Sequence, residues 1–170
     1  GAVTAAPVVI SDVTMPIYLD HNATTPIAAE VLEAMLPFLR EQYGNPSSNY
    51  ALGHIAKDAV ATARGHVAAL IGAAPDEIIF TSGGTEANNI AIRGSIEPNG
   101  GKRAIVTSTV EHPATDDPCD LLARDGYAVD RLNVGGDGRV DPADARRAMR
   151  NGAGLVTLIY AQNETGVVQP

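Results

Sequence analysis

The sequence predicts an α/β fold: a three-layer α/β/α domain with a mostly parallel sheet, preceded by helices. Two observations lead to this fold class. From residue 78 onward, short apolar runs rich in strand-forming residues alternate with helical stretches, which indicates parallel strands joined by crossover helices. A glycine-rich turn at 82–85 joins the first of these runs to a helix. The 170 residues are enough for one domain with its own core.

Two helices are expected before the alternating region. The first covers 27–40, where apolar residues recur on one face, and Thr25 with Pro26 has the composition of an N-cap followed by a first helical position. Turn-forming residues at 43–48 interrupt the helical pattern. The second helix runs from about residue 53 to 71 and ends before a glycine.

The remaining elements alternate along the chain. Strands are predicted at 78–80, 104–107, 127–132 and 155–161, and helices at 85–94, 112–124 and 142–149. Strands with this spacing pair in parallel, with right-handed crossovers and with helices on both faces of the sheet.

The segment 78–90 is expected to bind an anion at the start of its helix. Gly83 and Gly84 have no Cβ, so the backbone can turn sharply and a ligand can approach closely. Thr85 begins a helix whose first N–H groups and positive dipole end point back at the turn, and phosphate is the usual occupant of such a site. The alternative is that these residues only join a strand to a helix and cap the helix.

Polar clusters follow three of the predicted strands, at 82–85, 111–112 and 162–164. In an open α/β sheet, ligands bind outside the carboxyl ends of the strands. We therefore expect the three clusters to converge on one crevice.

Composition narrows the function classes. The net charge of −8 and a pI near 4.8 argue against nucleic-acid binding, and no apolar stretch is long enough to span a membrane. A single cysteine, Cys119, excludes an intramolecular disulfide, fits a cytoplasmic protein and is expected to be a buried thiol. Residues 1–15 are apolar without a preceding basic region, so we expect a disordered leader or tag remnant there.

Five segments resemble, in order, those of the cysteine desulfurases and the related selenocysteine lyases of the class V aminotransferase group. They are YLDHNATTP at 18–26, GNPSS at 44–48, FTSGGTE at 80–86, VEH at 110–112 and QNETG at 162–166. The resemblance covers nearly everything from residue 16 to 170 and implies a fold-type I enzyme dependent on pyridoxal 5′-phosphate. Tyr50 stands where many members of the family have histidine and where selenocysteine lyase-like members can carry tyrosine, and Gln162 replaces a commoner asparagine. These departures leave the subfamily open.

The resemblance also implies roles for four residues. Gly84 and Thr85 would bind the cofactor phosphate, His112 would stack on the pyridine ring and assist proton movement, and Asn163 would hydrogen-bond the phenolic oxygen. The alternatives are that His112 caps its own helix and that Asn163 closes a turn. No metal site is expected.

In this interpretation, residues 16–170 are the N-terminal part of the enzyme, and its C-terminal half is absent. Lys57 and Lys102 do not match the family's Schiff-base lysine, and Cys119 does not match its nucleophilic cysteine, so the isolated chain is expected to be inactive. The complete enzyme would convert L-cysteine to L-alanine and an enzyme persulfide for iron–sulfur cluster assembly or other sulfur transfer.

The expected partners are L-cysteine or L-selenocysteine, a second copy in a homodimer, a sulfur-acceptor protein and a C-terminal half chain. Two other functions remain open at this stage. One is a different class V enzyme, such as a selenocysteine lyase, an aminotransferase or a kynureninase-like hydrolase. The other is a non-catalytic binding or interaction module.

Overall fold

The computed structural model describes residues 17–96, 104–150 and 152–170, so the expected leader at 1–15 lies outside it. In chain order, the helices are α1 (Ala29–Arg40), α2 (Ala51–Ile71), α3 (Gly84–Gly94), α4 (Pro113–Arg124) and α5 (Pro142–Arg150). The strands are β1 (Ala104–Ser108), β2 (Val129–Leu132) and β3 (Ala153–Val156). A 3₁₀ turn at Pro75–Glu77 lies between α2 and α3.

The chain divides into two compact units, Gly1–Val60 and Ala61–Pro170, with the boundary inside α2. In the first unit, α1 buries none of its residues. Its apolar stripe, which includes Val31, Met35 and Leu39, is exposed within this chain. The stripe predicted from the sequence is therefore present, and no residue among 17–60 covers it.

The predicted cap of α1 is wrong. Ala28, and not Thr25, is the N-cap residue, and no side chain caps the helix. Residues 20–24 form a turn of their own, in which the carbonyl oxygen of Asp20 accepts two following amides at 3.1 and 3.3 Å. The backbone stays non-helical after this turn, so Pro26 precedes the helix instead of opening it.

The second helix is confirmed and starts two residues earlier than expected. Two glycines bring the preceding turn against its start. A Cβ on Gly44 would lie 2.3 Å from the backbone of Leu52, and one on Gly53 would lie 2.4 Å from the carbonyl oxygen of Ser48. Only hydrogen fits at these positions. Gly72, with φ of 70°, follows the end of the helix as predicted.

The second unit contains a parallel sheet in which the described strands have the order β2-β1-β3. The register pairs include Ile105 with Val129, Ser108 with Leu132, Ile105 with Leu155 and Val106 with Val156. The chain passes from β1 to β2 on one side and then crosses to β3 on the other. Because crossovers share one hand, connections that run in opposite directions place α4 and α5 on opposite faces.

Each face of β1 carries its own apolar core. The core on the α3–α4 face consists of Ile92, Ile105, Cys119 and Leu122. The core on the α5 face consists of Val106, Leu132, Val140 and Ala148. Since helices cover both faces of a parallel sheet, the predicted three-layer α/β/α class is confirmed.

The predicted strand at 78–80 is wrong. Ile78 is extended and buried, but Ile79 and Phe80 are 68% and 48% exposed, and the segment pairs with no strand in the described part of the chain. The Arg64 guanidinium on α2 donates to the Ile78 carbonyl oxygen and lies 5.0 Å from the Phe80 ring centroid. One side chain therefore holds the segment in place of ladder hydrogen bonds.

The last strand ends earlier than the predicted range of 155–161. Thr157 N still donates to Val106 O at 2.9 Å, and the chain then leaves the sheet. Ala161 instead forms an antiparallel bridge with Val168. The other predicted elements agree with the structure to within two residues at each end.

We expect the buried residues of the core on the α3–α4 face to contribute more to the stability of the second unit than exposed residues of the same helix. Leu122 is 7% exposed, whereas the adjacent Leu121 is 41% exposed. Leu122→Ala should lower the free energy of unfolding by about 2–5 kcal/mol because it leaves a cavity. Leu121→Ala, the matched control, should cost less than about 1 kcal/mol. Urea denaturation measures both, and equal losses would contradict this assignment of the core.

Candidate functional site

The glycine-rich turn leads directly into the first turn of α3. Gly83 is the N-cap residue, and Gly84 is the first helical residue, one position before the predicted start at Thr85. The Gly83 carbonyl oxygen accepts the amide of Ala87 at 3.1 Å. The amides of Gly84 and Thr85 belong to the first turn, where N–H groups have no acceptor within the helix. They form the positive end of the helix dipole, which favours an anion.

The chain's own packing does not explain the two adjacent glycines. A Cβ on Gly83 or Gly84 would meet no heavy atom within 4 Å among the described residues. Gly83 is extended, with φ of 166°, and Gly84 is helical, so neither position requires a left-handed backbone. The space that a side chain would occupy is therefore open for a ligand to approach the helix start.

Glu86 turns back from the helix start onto Ser82. Its Oε2 accepts hydrogen bonds from the amide of Ser82 at 2.6 Å and from the hydroxyl of Ser82 at 2.7 Å. These two bonds, the backbone one first, lower the pKa of the Glu86 carboxyl. The carboxylate thus accepts hydrogen bonds from Ser82, the first residue of the turn, and not from the amides of Gly84 and Thr85.

His112 is the N-cap residue of α4. Its Nδ1 accepts a hydrogen bond from the amide of Ala114 at 3.0 Å, and its carbonyl oxygen accepts the amide of Thr115 at 2.8 Å. Pro113 occupies the first helical position, where its missing N–H costs nothing. A ring nitrogen that accepts carries no proton, so the neutral imidazole has its proton on Nε2. The cap therefore fixes both the ring and its tautomer.

Thr85 and His112 line one cavity of about 290 Å³ between the starts of α3 and α4. The other lining residues are Asn89, Pro113, Ala114, Asp117, Pro118 and Leu121. Asn88 Nδ2 donates to Thr115 Oγ1 at 3.1 Å and joins the two helices. The volume lies at the lower end of the range for small-molecule sites, about 300–1,000 Å³.

The third polar cluster lies at a second cavity, of about 490 Å³. Its wall includes Glu111, Asp137, Gln162, Glu164 and Thr165. Asn163 is exposed and lies between two of these lining residues in the chain, but it lines neither cavity. Thr85 and His112 therefore share the first cavity, and Glu111 shares the second cavity with the 162–165 turn. In the described part of the chain, the segment 82–85 does not follow a strand. The expectation of a single crevice is only partly met.

The Gln162 side chain closes the turn that carries Asn163. Its Oε1 accepts the amides of Glu164 and Thr165, both at 2.7 Å. Gly166 completes the turn with φ of 73°. Gln162 thus performs a turn-closing role of the kind that the sequence offered for Asn163. The available signal was a side-chain carbonyl placed directly before a turn.

The remaining candidate reactive side chains are one cysteine and two lysines. Cys119 is fully buried in the core on the α3–α4 face, as predicted. Burial raises the pKa of its thiol, although the nearby Arg131 acts in the opposite direction. Lys57 is an exposed residue of α2, and Lys102 lies outside the described residues.

The described residues contain neither a metal-binding cluster nor a membrane-spanning helix. Residues 17–96, 104–150 and 152–170 contain no group of three or more His, Cys, Asp or Glu side chains placed to hold a metal ion. No helix within these ranges combines the length and the apolar character needed to cross a membrane.

Comparison with known protein families identifies the family of this chain. The sequence model of the class-V aminotransferases matches residues 17–170, which is nearly the whole chain. The chain belongs to the class-V aminotransferase family. The family resemblance indicated by the five sequence segments is thereby confirmed.

The curated relatives of this class-V aminotransferase chain include cysteine desulfurases. Cysteine desulfurase 2 of Trichormus variabilis is 50% identical over 154 residues, which are 91% of this chain and 39% of that protein. A cysteine desulfurase of Cereibacter sphaeroides is 51% identical over 156 residues, which are 91% of this chain and 40% of that protein. The chain therefore spans about two fifths of the length of these relatives.

Solved structures agree with this class-V aminotransferase assignment. A NifS-like protein superposes with a TM-score of 0.86 at 36% identity, covering 92% of this chain and 43% of that one. SspA in complex with cysteine superposes with a TM-score of 0.83 at 35% identity, covering 90% of this chain and 44% of that one. The fold is thus that of the NifS-like proteins.

The cap made by His112 predicts a separable contribution to stability. His112→Ala removes the acceptor for the Ala114 amide and should destabilise the fold by about 0.5–2 kcal/mol. His112→Asn keeps a side-chain acceptor at the N-cap and should retain most of the stability while it removes the imidazole. Thermal or urea unfolding of both variants tests the cap, and equal destabilisation would contradict it.

Proposed function

We propose that this chain is the N-terminal part of a pyridoxal 5′-phosphate-dependent cysteine desulfurase. The observation that carries the proposal is the cavity shared by Thr85 and His112 in a chain half-identical to cysteine desulfurases. Its two walls supply different chemistry. The helix start at Thr85 attracts an anion, and the capped imidazole of His112 offers a fixed aromatic face.

The residues present fit the phosphate of this cofactor. No heavy atom of the described residues fills the space beside Gly83 and Gly84, and this space lies at the positive end of α3. The amides of Gly84 and Thr85 are the donors that a phosphate monoester needs. We assign the phosphate to these two residues.

The proposal gives each residue one task. When bound, pyridoxal phosphate supplies an electron sink for bonds at the substrate α-carbon. Gly84 and Thr85 hold the phosphate, His112 stacks on the ring and holds or moves a proton at Nε2, and the Asn163 amide donates to the phenolic oxygen. These tasks are orientation and electronic tuning, which are the protein's share in cofactor chemistry.

For the whole protein we propose the reaction of the relatives. L-cysteine would lose its sulfur to a cysteine of the enzyme, leave as L-alanine, and supply an acceptor protein with sulfur. SspA, one of the structural neighbours, was solved with cysteine bound. We assign the Schiff-base lysine and the sulfur-accepting cysteine to sequence outside this chain, and we propose a cytoplasmic homodimer.

Tyr50 does not favour the alternative of a selenocysteine lyase. Its hydroxyl accepts the amide of Asn45 at 3.1 Å and thereby stabilises the turn before α2. This contact explains a tyrosine at that position without reference to selenium. Substrate preference is therefore decided by the activity test below.

The phosphate assignment predicts opposite effects of one substitution on stability and binding. Gly84→Ala should leave the free energy of unfolding unchanged or raise it by up to about 1 kcal/mol, since alanine favours a helix. It should weaken binding of pyridoxal phosphate about tenfold or more, because a methyl group fills the approach to the charge-assisted hydrogen bonds. Equilibrium dialysis with pyridoxal phosphate measures the binding.

Gly94→Ala is the matched control. Gly94 is the last residue of the same helix, and a Cβ there would also meet no heavy atom within 4 Å. It should not weaken binding. Equal affinities of the two variants for pyridoxal phosphate would contradict the phosphate assignment.

The assignment of the missing lysine and cysteine predicts an inactive chain. With pyridoxal phosphate and dithiothreitol, a thiol that reduces an enzyme persulfide to sulfide, the 170-residue chain should release no sulfide from L-cysteine and no selenide from L-selenocysteine. The longer protein should release sulfide under the same conditions. Sulfide turnover by the chain alone would contradict the assignment. Preferential turnover of L-selenocysteine by the longer protein would replace the desulfurase by the lyase.

A further inference from the structure

Glu111 lies where the chain leaving β1 meets the chain leaving β3. Its Oε1 accepts hydrogen bonds from the hydroxyl of Ser108 at 2.6 Å and from the amide of Ile159 at 2.9 Å. Ser108 is the last residue of β1 and is buried, and Ile159 lies three residues beyond the end of β3. One carboxylate oxygen thus joins the exits of two strands.

This junction lies at the carboxyl end of β1, where the order of the strands in the sheet changes direction. β1 has β2 on one side and β3 on the other, and such a point is where ligands bind in open α/β sheets. The last ladder bond between β1 and β3 in the described residues is that from Thr157 N to Val106 O. Two residues later, the Glu111 side chain accepts the amide of Ile159 in place of a strand partner.

The chain on each side of the junction is held by its own hydrogen bonds. Glu111 directly precedes the His112 cap of α4. Beyond Ile159, the chain forms a closed hairpin, in which Gln162 N donates to Val167 O and Gln169 N donates to Tyr160 O, both at 2.9 Å. We therefore expect a displacement of Ile159 to carry the turn that contains Asn163 with it.

We propose that Glu111 is a positioning residue that holds the Asn163 turn in register with the His112 ring, so that both can reach one pyridoxal ring. This inference rests on the proposed function. Without the carboxylate, the amide of Ile159 loses its acceptor, and the two strand exits lose the hydrogen-bonded link beyond the last ladder bond.

The variants isolate the hydrogen bonds from volume and charge. Glu111→Met keeps the length of the side chain and removes the acceptor, and Glu111→Gln restores an oxygen that can accept both donors. Glu164→Met is the matched control because it removes a carboxylate from the same cavity. Hydrogen exchange at the Ile159 amide should be at least tenfold faster in Glu111→Met and near the wild-type rate in the other two variants.

The second readout is an NMR titration of the 170-residue chain with pyridoxal phosphate. In the wild type, the His112 ring and the Asn163 side-chain amide should shift with the same dissociation constant. In Glu111→Met, His112 should still respond, while the Asn163 shift should fall by at least half. Glu111→Gln should restore it, which a general loss of stability would not do.

The outcomes separate the two proposals. An Asn163 response that is unchanged in Glu111→Met overturns the positioning role and leaves the proposed function standing. No response of either group in the wild type overturns the proposed function, and the positioning role with it. If Glu111→Met does not fold, Glu111→Leu, which also removes the acceptor for the Ile159 amide, replaces it, and an unchanged Asn163 response there also overturns the role.

Discussion

Burial of β1 on both faces is the constraint on which the second unit depends. Ile105, Val106 and Thr107 are each 0% exposed, so the strand's amides and carbonyls are also cut off from water. Such groups must find partners within the chain, and parallel pairing with β2 and β3 supplies them. The same pairing brings the carboxyl ends of the three strands to one edge, where the exits of β1 and β3 carry the polar clusters at 111–112 and 162–164.

Side chains take over from the ladder where the strands end. His112 Nδ1, Glu111 Oε1 and Gln162 Oε1 each accept backbone amides that lie outside helices and strands or at a helix start. Each of the three acceptor residues lines one of the two cavities. For His112, the cap that the sequence offered as an alternative is present, and it leaves Nε2 for the proposed binding role.

Hydrophobic periodicity predicted most of the second unit, because strands and helices bury different repeats of apolar residues. The alternation from β1 to β3 follows the sequence closely, as does the burial of Cys119. The errors occur where one or two specific hydrogen bonds outweigh the local preference. Arg64 on α2 holds residues 78–80 without a strand partner, and the turn around Asp20 delays the start of α1. Neither contact leaves a periodic pattern in the sequence.

The sequence by itself determined the fold class, the family and the residues that could form a site, because these depend on apolar patterning and on ordered local motifs. The tertiary structure alone decided which of those residues meet. Thr85 and His112 share a cavity because α3 and α4 pack together, and Asn163 lies instead on a turn beside a second cavity. Glu111 gained its importance only in the fold, through a hydrogen bond that spans 48 residues. A sequence shows which groups can donate or accept, but only the folded chain shows which backbone amides the ladder leaves without a partner.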